Sequence, residues 1–139
     1  MSAHSDSNAQ TVVYSEKDKP SASEVILLFR SAGLNGPLDE PKRIAQMLTA
    51  AQQTITARVD GRLVGLIRLL TDFSFNAFVA DLAVSPDCQG KGVGTELLAR
   101  ATARNESVKY ILQTHDSGDF YLKRGFVPAE NCYVRMRTR

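Results

Sequence analysis

Residues 84–98 read Val84-Ser85-Pro86-Asp87-Cys88-Gln89-Gly90-Lys91-Gly92-Val93-Gly94-Thr95-Glu96-Leu97-Leu98. The apolar run 78–84 stops at Ser85-Pro86, a turn signal. Gly90, Gly92 and Gly94 follow, and a helical pattern opens at Thr95. The order is strand, glycine-rich loop, helix. Glycine lets backbone come close to a ligand because it has no Cβ in the way. The first amides of a helix lack internal partners and sit at the positive end of the helix dipole. Such a loop suits an anion, most commonly a phosphate or pyrophosphate.

Two common phosphate loops do not fit. G-x-G-x-x-G, counted from Gly90, fails at Thr95, and the P-loop needs Ser or Thr where Gly92 follows Gly90-Lys91. What remains is Q-x-x-G-x-G over residues 89–94. Downstream, Phe120-Tyr121-Leu122-Lys123-Arg124-Gly125-Phe126 reads F-Y-x-x-x-G-F. Together the two motifs resemble the GNAT superfamily of acyl-CoA-dependent N-acyltransferases. The resemblance is specific over residues 79–126, whereas the first half agrees in element order only.

The chain has 139 residues, enough for one domain with a sizeable core. Apolar residues make up 43% and charged residues 23%, as in an ordinary globular protein. The net charge of +2 does not argue for nucleic acid as a partner. Cys88 and Cys132 lie far apart without metal-ligand spacing, which points to free thiols in a reducing compartment. No run reaches membrane-span length. Residues 1–9 have neither the basic start nor the apolar core of a signal peptide and read as a disordered tail. A cytoplasmic protein with a single domain over residues 10–139 is expected.

In chain order, residues 11–14 read as a first strand. Ser21 and Glu24 form a capping-box pattern, and Gly33 suits the end of the helix behind it. Pro41 suits the first turn of a second helix. Residues 53–59 and 62–71 read as strands joined at Asp60-Gly61, a hairpin signal. A turn over 72–76 leads to a strand over 77–84. After the glycine loop, Val93, Leu97, Leu98 and Ala101 form an apolar helix face, with Glu96, Arg100 and Arg104 outward. Residues 108–112 are the next strand, parallel to 77–84 through a βαβ crossover. A short helix over 116–124, closed by Gly125, and strands at 126–127 and 133–137 complete the chain. The expected class is α/β (or α+β): a mixed central sheet with helices on both faces. The resemblance adds a splayed parallel strand pair.

The resemblance implies acetyl-CoA as the acyl donor, a primary amine as the acceptor, and direct attack through a tetrahedral intermediate. The donor's pantetheine arm then lies along the backbone of Leu82, Ala83 and Val84 like an added strand. The amides of Gln89, Gly90, Lys91, Gly92, Val93 and Gly94 receive the pyrophosphate, and Thr95 adds a hydroxyl. Lys91, Lys123 and Arg124 are candidates to neutralise phosphate charge, although each alone is more often a solvated surface base. The motif tyrosine falls on Tyr121 and implies a general acid for the leaving thiolate, which a phenol with pKa of about 10 can be at neutral pH. An asparagine frequent in the family is Thr114 here, and an alanine is Ser117.

Asp81 stands inside the apolar run 78–84 and has two readings. Desolvation would raise its pKa and make it a base. If the 72–76 hairpin centres at Ser74-Phe75, however, Asp81 lies across from Arg68 in an ion pair. Glu130 and His115 are weaker candidates, and a base acting through water is a further one. The His115-Asp116 pair is a poor metal site, so no metal is expected.

Two other function classes share these motifs. One is a non-catalytic acyl-CoA-binding regulatory module. The other acts on a protein or RNA-linked amine; Arg135, Arg137 and Arg139 alternate, though a charged edge strand explains that pattern as well. The loop 34–40, the turn 72–76 and the C-terminal strands are expected to build the acceptor pocket. Phe73, Phe75 and Phe78 suggest an apolar or aromatic acceptor, core packing or a dimer surface. A homodimer is an expectation from resemblance.

Overall fold

The computed structural model describes residues 10–103 and 106–138. The disordered tail expected over 1–9, and the placements of Arg104 and Arg139, lie outside the described residues. Five strands form one sheet in the order β1-β2-β3-β4-β5. They are β1 (Val13–Ser15), β2 (Gln53–Val59), β3 (Arg62–Thr71), β4 (Asn76–Val84) and β5 (Lys109–Leu112). Neighbours are antiparallel except β4 and β5, which run parallel.

Helix α1 (Ala22–Ala32) begins at the capping box: Ser21 accepts from the Glu24 amide and Glu24 accepts from the Ser21 amide. Gly33, left-handed at φ 74°, ends it. Helix α2 (Pro41–Ala50) starts on proline and buries Ile44. The β2–β3 turn places both Asp60 (φ 49°) and Gly61 (φ 79°) in the left-handed region, the geometry whose twist matches a tight hairpin.

Side-chain alternation divides the sheet into two apolar faces. Helices α1 and α2 cover Leu63, Leu66 and Ala83 on one face. Helix α3 (Val93–Thr102) covers Ile55, Val64, Ile67, Leu69, Ala77 and Val79 on the other. Gly65 lets α3 lie close on β3, because a Cβ there would stand 2.9 Å from Val93 Cγ1 and 3.0 Å from Leu97 Cδ1.

The parallel ladder is short. It pairs Asn76 with Lys109 and ends with Val79 opposite Leu112. From Asp81 to Val84, β4 keeps its antiparallel partner β3, and among the described residues no strand lies on its other edge beyond Val79.

The terminal strands expected at 126–127 and 133–137 do not form; residues 126–129 and 132–138 have no regular structure. Phe126 donates its amide back to Tyr121, closing helix α4 (Gly118–Leu122) rather than extending β5. Pro128 then lacks an amide to donate. Tyr133 and Met136 remain 94% and 71% exposed, so the alternating pattern finds no apolar layer to bury against. Alternation is a condition for a half-buried strand and does not supply its partner.

Candidate functional site

The site is assembled from the end of β4, the loop behind it, the first turn of α3, and α4. After Val84, Ser85 donates its amide to Val64 and its hydroxyl to Asp87. Arg62 holds the same Asp87 at 2.7 Å. These bonds pin the short 3-10 turn Pro86–Cys88 to the start of β3. Gln89 donates its side-chain amide to the carbonyl of Val84 at 3.0 Å. The first residue of the motif therefore ties the loop to the strand end through its side chain, a role its motif position did not specify.

Gly90 and Gly92 lie at φ 78° and 86°, where a β-carbon is disfavoured. Gly92 is the N-cap of α3, and no side chain caps that helix. In α1 one of the equivalent amides, that of Glu24, donates to the Ser21 side chain. The start of α3 therefore offers its first amides and its positive dipole end outward, as an anion requires.

Helix α4 closes the arrangement. Phe120 lies against the start of α3: a Cβ on Gly94 would stand 3.6 Å from the edge of its ring. Arg124 stacks 3.8 Å over Phe120 and donates to the Thr95 hydroxyl from Nη2 at 2.6 Å and Nε at 3.2 Å. Tyr121 packs edge-on between Phe120 and Phe126, with ring centroids 5.0 and 5.6 Å away. Burial raises its phenol above the ordinary value of 10. The group thus holds its proton throughout the neutral range. Phe120 and Tyr121 join the α3-side core, as do Leu82 and Val84.

Asp81 is elsewhere. Strand alternation places it on the α1–α2 face with Ala83, where Arg68 Nε donates to its Oδ2 at 2.6 Å. Only 11% of its side chain is exposed, and 9% of that of Arg68. Tyr121 and Asp81 therefore stand on opposite faces of the sheet. Phe73 and Phe75, on the β3–β4 turn, are 53% and 69% exposed. Phe78 sits between Leu70 and Ile111 in the register, and all three are partly open on the α1–α2 face. Among the described residues no group of three His, Cys, Asp or Glu side chains could hold a metal ion. No described helix is long and apolar enough to cross a membrane.

This arrangement is that of a known family. Residues 50–128 match the model of the acetyltransferase (GNAT) domain, and the chain belongs to that family. An uncharacterised N-acetyltransferase, ycf52, of Gracilaria tenuistipitata is 36% identical over 69 residues. That match spans 47% of this chain and 38% of the algal protein, well under two thirds of its length. The fold is similar to a GNAT-family acetyltransferase of Streptococcus pneumoniae, at TM-score 0.76 and 23% identity over 93% of this chain and 98% of that one. It is also similar to the PaiA N-acetyltransferase of Thermoplasma acidophilum in complex with coenzyme A, at TM-score 0.69 and 18% identity over 88% and 93% of the two chains.

Proposed function

We propose that this protein transfers an acetyl group from acetyl-CoA to a primary amine. One observation carries the reading: the free edge of β4 from Ala80 to Val84 runs directly into a loop that ends at the uncapped start of α3. An extended thioester arm needs open strand backbone, and a pyrophosphate needs unpaired helix amides. Here the two are consecutive in the chain.

The chemistry then follows from the donor groups. The neutral amine nitrogen forms a bond to the thioester carbonyl carbon, and the carbon–sulfur bond breaks. Backbone amides at the open β4 edge serve the oxygen as charge develops on it. The thiolate takes a proton from the Tyr121 hydroxyl, which burial keeps protonated. The amine loses its own proton to solvent through water, because the Asp81 carboxylate is engaged by Arg68. The aromatic side chains of the 72–76 turn favour an apolar or aromatic acceptor.

The test is thiol release from acetyl-CoA across a panel of primary amines, with Tyr121→Phe beside the wild type. The expected result is turnover with at least one amine and a kcat lower by about 100-fold in the variant, with cofactor binding retained. Tight acetyl-CoA binding with no turnover on any small amine, peptide or aminoacyl-RNA would overturn the enzymatic reading in favour of a binding module.

A further inference from the structure

The contact between Arg124 and Thr95 is unusual electrostatically. Thr95 lies in the first turn of α3, where the helix dipole disfavours a cation. Yet a guanidinium is held there by three hydrogen bonds: two to the Thr95 hydroxyl and one from Nη1 to the Phe120 carbonyl at 2.7 Å. It is further fixed by stacking on the Phe120 ring. Among the described residues no carboxylate pairs with Arg124. Glu96, in the same helical turn, is engaged by Arg100 at 2.7 Å.

A hydroxyl has two acceptor lone pairs and one hydrogen. Arg124 fills the acceptor side of Thr95 with two N–H donors. Among the described residues nothing accepts the Thr95 hydrogen. The hydroxyl is therefore left with only its hydrogen to offer, in the helix turn that follows the glycine loop.

We infer that Arg124 is a positioning residue for the pyrophosphate of the acyl donor: it converts Thr95 into a dedicated donor and adds its own unneutralised charge to the loop. This rests on the acyl-CoA reading above and deepens it. Lys would not substitute, since a single ammonium cannot reproduce the two-atom grip on one hydroxyl together with stacking on a ring. The geometry links the two motifs of the sequence physically. The second motif supplies the cation that completes the first.

The experiment compares acetyl-CoA with S-acetylpantetheine, which carries the same thioester but no phosphates. Dissociation constants are measured for the wild type, Arg124→Gln, Arg124→Lys, Thr95→Val and Thr95→Ser. Arg124→Gln and Thr95→Val should each weaken acetyl-CoA by about tenfold, the worth of a charge-assisted hydrogen bond. The ratio of acetyl-CoA to S-acetylpantetheine affinity should fall by the same factor. Thr95→Ser should keep wild-type affinity and Arg124→Lys should not. The Arg124→Gln and Thr95→Val losses should be less than additive when combined, because one acts through the other. The melting temperature of the ligand-free Arg124→Gln protein should hold or rise, since a cation leaves the positive end of a helix. Equal losses for both thioesters, or a destabilised free protein, would make Arg124 a structural strut and overturn the inference. Acetyl-CoA binding indifferent to Arg124 would overturn it while leaving the parent reading intact. Failure of the wild type to bind acetyl-CoA at all would remove both.

Discussion

Arg68 and Asp81 face each other across the β3–β4 ladder, joined at 2.6 Å, with only 9% and 11% of their side chains exposed. Their meeting depends on a bulge. Near the turn, Thr71 pairs with Ala77 and Leu69 with Val79, so a uniform ladder would set Arg68 opposite Ala80. The irregularity after Leu69 shifts the register by one residue and brings Asp81 to Arg68.

Removing one partner leaves a buried charge without compensation. Asp81→Ala should lower stability by about 3 kcal/mol, read from urea denaturation. Arg68→Met combined with Asp81→Leu should recover most of that loss, because the uncompensated charge is gone. Additive losses in the double variant would show that the pair is not the reason Asp81 matters.

Gly65 controls the seat of α3. Gly65→Ala puts a methyl group within 3.0 Å of Val93 and Leu97, both fully buried, and 3.3 Å from Ala57. We expect a cost of about 1–3 kcal/mol by overpacking. The same displacement moves the α3 start, so acetyl-CoA affinity should weaken as well. A variant of unchanged affinity would mean that the loop adjusts independently of the helix.

Burial holds the Tyr121 phenol above its ordinary pKa of 10. A raised pKa keeps an acid protonated to higher pH, so under the proposed mechanism the phenol has a proton to give throughout the neutral range. kcat should hold up to about pH 10 and decline above it, and Tyr121→Phe should erase that alkaline limb. A fall in kcat centred well below pH 10 would assign the acid to another group.

Arg58 joins β2 to the entrance of α1, bonding Asp18 at 2.6 Å and Glu24 at 2.5 Å. Its hydrogen bonds to Glu24 hold that carboxyl at about 2, against an ordinary 4.5, and also lower Asp18. A depressed carboxylate contributes stability that is present above the ordinary pKa and lost as pH falls through the folded one. The melting temperature should therefore drop between about pH 4.5 and pH 2, and Arg58→Met should flatten that slope. Parallel slopes in the two proteins would place the acid sensitivity elsewhere.

Local signals made much of the fold legible. The capping box at Ser21, the left-handed stop at Gly33, Pro41, and the Asp60-Gly61 turn each act within a few residues, and each element begins or ends where they indicate. The glycine loop between strand and helix was equally plain, because tight backbone approach leaves its mark directly in residue type. Long-range features were not legible in the same way. The Arg68–Asp81 pair was anticipated from a hairpin centred at Ser74-Phe75, and it forms, but nothing local marks Ala80 as the bulged residue through which the two are aligned. Nor does the alternation of 133–137 reveal that no strand or helix layer receives it.

By itself, then, the sequence determined the order of elements, the two motifs and the chemistry they suit, since these rest on backbone conformation and side-chain type over short spans. Only the tertiary structure decided which of those residues meet. It separated Tyr121 and Asp81 onto opposite faces of the sheet, ended the parallel ladder at Val79, and set Arg124 against Thr95. The physical reason is that a contact between distant residues is settled by register, bulge and helix seating, each a balance of packing over the whole sheet rather than a preference of any one segment.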